Sequence, residues 1–177
     1  GTALINNTLI ENAKTAILVN GQLIANELQI NHSYIGINNI GHSTIDGYFS
    51  SQIDYDSIQN SGVLELDDAN IEQSATGVQT SGISTISNSN FSSVGVALKN
   101  IAGQIDADEI RFDSVTVGIS SQIHSKVRIS NIIGENVALL VDAANSDDLL
   151  VESAVVSGSR VLVSNDATSF LISNISF

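Results

Sequence analysis

Apolar and polar positions along this chain repeat with a period close to 21. The recurring anchor is an apolar residue, a polar residue, then a polar or turn-forming residue. Its copies are Ile5-Asn6-Asn7, Ala25-Asn26-Glu27, Ile45-Asp46-Gly47, Leu66-Asp67-Asp68, Ile86-Ser87-Asn88, Ala107-Asp108-Glu109, Ile129-Ser130-Asn131, Val151-Glu152-Ser153 and Ile172-Ser173-Asn174. The third members are spaced 20, 20, 21, 20, 21, 22, 22 and 21 residues apart. Two positions before the anchor most copies carry another apolar residue: Leu23, Leu64, Ile105, Val127, Leu149, Phe170. Such alternation is the signature of a strand with one buried face. Three positions after the turn residue stands a further apolar side chain: Ile10, Ile30, Ile71, Phe91, Phe112, Val156, Phe177. Half a period later a small residue precedes an aliphatic one, as in Gly36-Ile37, Gly77-Val78, Gly95-Val96, Gly118-Ile119 and Ala138-Leu139. These pairs predict a second strand entered through a tight turn.

No segment sustains helical spacing for three turns, and Ile, Val, Ser and Asn dominate throughout. Equal units of two or three short strands stack most simply into a solenoid. The expectation is therefore an all-β fold: one single-stranded parallel β-helix over residues 1–177, of about nine coils of 20–22 residues. At about 4.8 Å per coil, nine coils give a rod roughly 40 Å long.

The pieces Leu-Glu-Leu-Asp-Asp-Ala-Asn-Ile (64–71), Ile-Ser-Asn-Ser-Asn-Phe (86–91) and Leu-Ile-Ser-Asn-Ile-Ser-Phe (171–177) resemble the repeats of pectin-lyase-like parallel β-helix proteins. Gly followed by an aliphatic residue half a coil later matches that pattern too. The resemblance implies a right-handed coil. It implies no single activity, because that architecture serves lyases, glycosidases, viral spikes and adhesins. Lyase chemistry of that type wants calcium-binding acids facing an Arg or Lys base, and residues 44–63 contain neither. Its glycosidases use Gly-His-Gly and Arg-Ile-Lys elements; here Gly41-His42-Ser43 and Lys126-Val127-Arg128 match neither in full. No catalytic residue is assigned, although His32 with Tyr34 or Tyr48 is a conceivable acid–base pair.

Charged residues make up 14% of the chain, against roughly 25% in ordinary soluble domains. Asn, Ser, Thr and Gly supply the remaining polarity and suit many turns. With no cysteine, disulfides and thiolate metal sites are excluded. The chain begins with Gly1 and has no methionine, so a processing boundary and a longer parent protein are expected. The last anchor ends at Phe177, halfway through a coil, and an uncapped solenoid end exposes core; further coils or a cap are expected beyond it. The longest apolar run, Val137 to Val141, is far too short for membrane insertion. A formal charge of −13 repels phosphate backbones and anionic membranes. Calcium or neutral glycans suit that field better.

Equivalent positions in adjacent coils are neighbours, which places Asp46, Glu65 and Asp67 in one outward patch with Asp68 at its edge. Carboxylates about 5 Å apart repel, so the patch either takes calcium or splays into solvent. Asp106 and Arg128 fall one coil apart and are expected to pair. His124, Lys126, Arg128 and Arg111 form a basic neighbourhood among Asp106, Asp108, Glu109 and Asp113. The third coil departs furthest from the pattern. Ser50 stands where a core residue belongs, with Phe49 as its expected substitute. All three tyrosines and two of the three histidines lie in or beside this coil. Tyr34, Tyr48, Tyr55, Asp54, Asp56 and His42 therefore form the candidate ligand site, with rings for a sugar face and carboxylates for its hydroxyls.

These observations predict a non-catalytic secreted or cell-surface β-helix, an adhesin or stalk segment whose partner is a polysaccharide or a cell-surface protein. The alternative is a carbohydrate-active enzyme or binding module of the pectin-lyase-like type. Self-association, side by side or end to end, is a third expectation.

Overall fold

The computed structural model describes residues 1–122, 124–143, 146–158, 161–165 and 170–176. Every strand pairs in parallel with its equivalent one coil away. One column of strands comprises Thr2–Glu11, Gln22–Ser33, Ile83–Ser92, Gln104–Asp113, Lys126–Glu135, Asp148–Ser157 and Phe170–Ser176. A second, shorter column comprises Thr15–Val19, Ile35–Asn39, Val96–Asn100, Val117–Ser121, Leu139–Ala143 and Val161–Asn165. Two strands, His42–Asn60 and Val63–Thr80, run unbroken through both columns. The chain is thus a right-handed parallel β-solenoid of about eight turns. Nine anchors start a turn, but the ninth has no second-column partner among the described residues, which accounts for the difference from the expected count.

Each turn bends at corners where the backbone enters the left-handed region. All nine third members of the anchor adopt positive φ, from 47° at Asn7 to 70° at Gly47. A second corner follows five residues later at Asn12, His32, Gln52, Gln73, Ser93, Ser114, Asn136 and Gly158. Asn tolerates this conformation better than most residues, because its short polar side chain bonds locally. The Asn-rich texture of the sequence is in part the requirement of two such corners per coil.

Between corners, alternate side chains point inward and stack on their equivalents. Leu23, Leu64, Ile105, Val127 and Leu149 are buried in one row. Ile30, Ile71, Phe91, Phe112 and Val156 are buried in another, with the rings of Phe91 and Phe112 tilted at 51° and 5.9 Å apart. Phe177, expected to extend that row, lies outside the described residues. The predicted second strand is present, with Ile37, Val78 and Ile119 fully buried.

A third corner, lying outside the anchor pattern, closes the turns up to Gly103. The side chain of Asn39 turns inward and its Nδ2 donates to the Val63 carbonyl at 2.8 Å and to Asn60 Oδ1 at 2.9 Å. Asn60 repeats this, donating to the Ile83 carbonyl at 2.8 Å. Asn100 donates to the carbonyls of Gly103 and Lys126, both at 2.9 Å. Buried backbone carbonyls at the turn are thereby satisfied. Glycine completes the corner at Gly41, Gly62, Gly82 and Gly103, where a Cβ would overlap the carbonyl oxygen of the glycine one coil back.

Gly62→Ala is therefore expected to cost about 1–3 kcal/mol, because the backbone it would strike has nowhere to retreat. Urea unfolding followed by circular dichroism reads this directly. An unchanged midpoint would contradict the glycine column.

Candidate functional site

The third coil carries one extra residue, and the register shifts between Ile53 and Asp56. The bulge pushes Asp54 and Tyr55 outward at the second corner. The Tyr55 amide donates to the Tyr34 carbonyl at 3.0 Å, so the two tyrosines sit one above the other. Their rings are nearly parallel, 6° apart in plane with centroids 5.5 Å apart. Both remain exposed, Tyr34 by 47% and Tyr55 by 43%. Lys14 occupies the equivalent place one coil before Tyr34, and exposed Ala75 the place one coil after Tyr55. The small Ala75 leaves the outer face of the Tyr55 ring uncovered by its own column. Offset aromatic pairs of this kind present a flat, rigid apolar surface with polar hydroxyl tips.

The remaining members of the predicted ligand cluster do not join this pair. Tyr48 is a core residue, 1% exposed, in the row of Leu28 and Ala69. Its hydroxyl lies 3.0 Å from Ser57 Oγ, and Ser57 Oγ lies 2.6 Å from Ser50 Oγ. Burial pushes the Tyr48 phenol up to about 12, against the pull of the Ser57 and Ser50 hydroxyls. Gly36 makes the room, since a Cβ there would meet the Ser57 carbonyl and the Tyr48 hydroxyl. Ser50 thus keeps its inward place, and the large ring of Tyr48 supplies the volume that Ser50 lacks. Phe49 is not the substitute: it lies in the outward row between Gln29 and Asn70.

Asp56 is 1% exposed and accepts from Gln59 Nε2 at 2.7 Å, so it is withdrawn from any ligand. Burial raises its carboxyl above the ordinary range, opposed by hydrogen bonds from Gln59 and Thr76 and by the charge of Lys99. His42 lies in another row, at the start of the first column between Gln22 and Val63, 3.7 Å from Glu65 Oε1. The structure therefore brings together Tyr34, Tyr55 and Asp54, and separates Tyr48, Asp56 and His42 from them.

The predicted carboxylate patch is in register, with Asp46 paired to Asp67 and Thr44 to Glu65. Its side chains do not converge on a cation. Glu65 accepts from Thr44 Oγ1 at 3.1 Å. Asp67 Oδ1 accepts from Ser87 Oγ at 2.7 Å and from Asn88 Nδ2 at 2.8 Å. Among the described residues no three His, Asp or Glu side chains gather at metal-binding distance. Neighbouring hydroxyl and amide donors thus engage one oxygen of Glu65 and one of Asp67.

The Asp67 arrangement recurs two coils on. Asp108 Oδ1 accepts from Ser130 Oγ at 2.6 Å and Asn131 Nδ2 at 2.8 Å. In both, hydrogen bonds from Ser and Asn in the next coil hold the carboxyl below its ordinary value. Each aspartate thus ties its own turn to the left-handed corner of the next. The Asp-then-Ser-Asn spacing one coil apart was readable in the anchors as a cross-coil pair.

Arg111, His124 and Arg128 are paired across coils, though Arg128 not with the expected Asp106. Arg128 reaches Asp148 at 3.7 Å, while Asp106 takes Gln104 Nε2 at 2.5 Å. Arg111 bonds Glu135 at 2.9 Å and His124 stands 3.6 Å from Asp147. Around Arg128 the first face dips into a depression of about 350 Å³ floored by Thr85, Ser87, Asp106 and Glu152. With Asp108 also in its lining, three carboxylates outnumber the one guanidinium, and the depression keeps the acidic character of the surface.

The fold and surface define a parallel β-solenoid in which the interior repeats and the outward rows vary. No family model, curated protein or solved structure matches the chain.

Two opposite pH responses are expected. Asp67 and Asp108, with lowered native values, stabilise the fold above the ordinary carboxylate range, and that contribution is lost as pH falls through their native values. The double variant Asp67→Asn/Asp108→Asn should lose midpoint at neutral pH and show a flatter acid limb. Asp56, with a raised value, has its contribution present below its unfolded value and lost as pH rises through the native one. Asp56→Asn should therefore raise the thermal midpoint at pH 7, with the gain vanishing in acid. Midpoints recorded from pH 2.5 to 8 check both signs.

Proposed function

We propose that this chain is a rigid, non-catalytic β-solenoid segment of a secreted or cell-surface protein, touching its partner through the outer corner of the third coil. The observation that carries the reading is the exposed parallel pair Tyr34–Tyr55, set by a bulge on an otherwise regular rod. A bulge costs regular pairing, and its product here is a flat aromatic surface beside Asp54 and above small Ala75. The partner class that fits is a polysaccharide or a glycosylated surface protein: the ring takes a sugar face and the carboxylate its hydroxyls. The charge of −13 disfavours nucleic acid and anionic lipid as partners. Acids suited to proton transfer are engaged one at a time, Asp67 by Ser87, Asp108 by Ser130 and Asp56 by Gln59. That arrangement suits holding better than turnover. A pectin-lyase-like kinship is the finer form of this reading, supported by the right-handed parallel coils and their left-handed corners.

A polysaccharide panel, with and without calcium, tests it. Retention without released oligosaccharide is expected, and Tyr34→Ala/Tyr55→Ala should weaken that retention while leaving the thermal midpoint within about 1 °C, as surface substitutions do. Release of unsaturated or reducing products would overturn the non-catalytic reading.

A further inference from the structure

The first corner of each turn is occupied by Asn7, Glu27, Asp68, Asn88, Glu109, Asn131, Ser153 and Asn174, with one exception: Gly47. Packing does not require that glycine, and the left-handed backbone that favours one is adopted by other residues throughout the column. Eight non-glycine residues hold the same left-handed conformation in the same column, at φ between 47° and 58°. A Cβ on Gly47 would stand 3.4 Å from the Glu27 amide nitrogen and 3.7 Å from Glu27 Cγ, which is ordinary contact. At the third corner, by contrast, a Cβ would run into backbone. The effect of Gly47 is to leave a notch.

That notch opens onto Phe49, the residue that turned outward instead of entering the core. Together they form a depression of about 340 Å³ on the second face, bordered by Glu27 and Asp68 at the corner and by Gln29 and Asn70 on the coils before and after. Phe49 is half-buried, with Gln29 on one side and Asn70 on the other. Asn70 is itself held in place, accepting from Asn90 Nδ2 at 2.8 Å and donating to Glu72 at 2.9 Å. An apolar ring with polar groups around it has the makeup of a ligand subsite.

We propose that this notch binds one neutral hexopyranose unit of a glycan, its C–H face on Phe49 and its hydroxyls donating to Glu27 and Asp68. Two carboxylates on the rim reject uronic or sulfated sugars, which the overall charge also repels. Gln29 and Asn70 add amide groups that accept and donate, as a polyhydroxylated ring requires. The site is separate from the Tyr34–Tyr55 corner, lying on the other side of the second bend of the same coil. It deepens the adhesive reading and rests on it only in the choice of a glycan as the partner.

The test is titration of the whole chain with neutral gluco-, manno- and galacto-hexaoses, followed by saturation-transfer NMR and calorimetry. Oligogalacturonate and spermidine serve as anionic and cationic comparisons. Two substitutions borrow residues the fold already uses: Gly47→Asn restores the column side chain, and Phe49→Asn extends the Asn70–Asn90 pair. Both are expected to keep the thermal midpoint and to weaken a neutral hexaose at least about tenfold, the loss of one stacked ring and its pocket. Tyr34→Ala/Tyr55→Ala should leave a saturation transfer to the hexaose that Phe49→Asn removes. Unaltered hexaose binding by Gly47→Asn, absence of any binding up to millimolar hexaose, or binding of spermidine in place of sugar would each overturn the proposal. Retention lost only in the tyrosine double variant would overturn it too, while leaving the adhesive reading intact.

Discussion

In-register parallel stacking is the constraint on which everything else in this molecule depends. Each residue of one coil lies about 4.8 Å from its equivalent in the next. An inward position must therefore accept its own kind above and below, and a corner must bend alike in every turn. Apolar rows, the phenylalanine pair Phe91–Phe112 and the inward asparagines Asn39, Asn60 and Asn100 are all solutions to that condition. So is the glycine column, where successive backbones approach too closely for any Cβ. The same rule explains how the polar interior is tolerated: a buried amide in one turn finds the carbonyl it needs in the next.

Outward positions escape the rule, because solvent accepts any side chain. Variation there is inexpensive and carries whatever recognition the rod performs. The third coil shows two ways of using that freedom. A one-residue bulge lifts Tyr55 onto Tyr34, and a corner glycine uncovers Phe49. Both changes leave the interior rows intact, since Tyr48 and Ser57 together fill the space that Ser50 leaves. Stability and recognition are thus written in different alternate positions of the same strand.

Much of this was legible from period alone. Each anchor triplet ends on a left-handed corner, and the Gly-aliphatic pairs mark the second column, because both are dictated locally and repeat in every turn. What the pattern hid was direction at the irregular coil. Tyr48 was grouped with its exposed neighbours by residue type, although its place opposite Leu28 and Ala69 sends it inward. Asp56 followed the same error, since the extra residue before it shifts its register by one. The carboxylate patch was aligned by the period, but its hydrogen bonds were not: Ser87 and Asn88 one coil on are donors close enough to engage Asp67. The Asn-x-Gly corner is present in the letters at 39–41 and 60–62, but it lies outside a period defined by apolar anchors.

Because the chain has no cysteine of its own, paired cysteines report the register cleanly. Thr44→Cys with Glu65→Cys places two outward thiols on directly opposed residues of adjacent coils. Thr44→Cys with Asp67→Cys shifts the second thiol two residues along, to a Cα separation of about 8 Å, beyond disulfide reach. Under mild oxidation the first pair should cross-link in full with no loss of thermal midpoint, and the second should stay reduced. Cross-linking of the offset pair alone, or of neither, would contradict the stacked register from which the core, the corners and both surface sites have been derived.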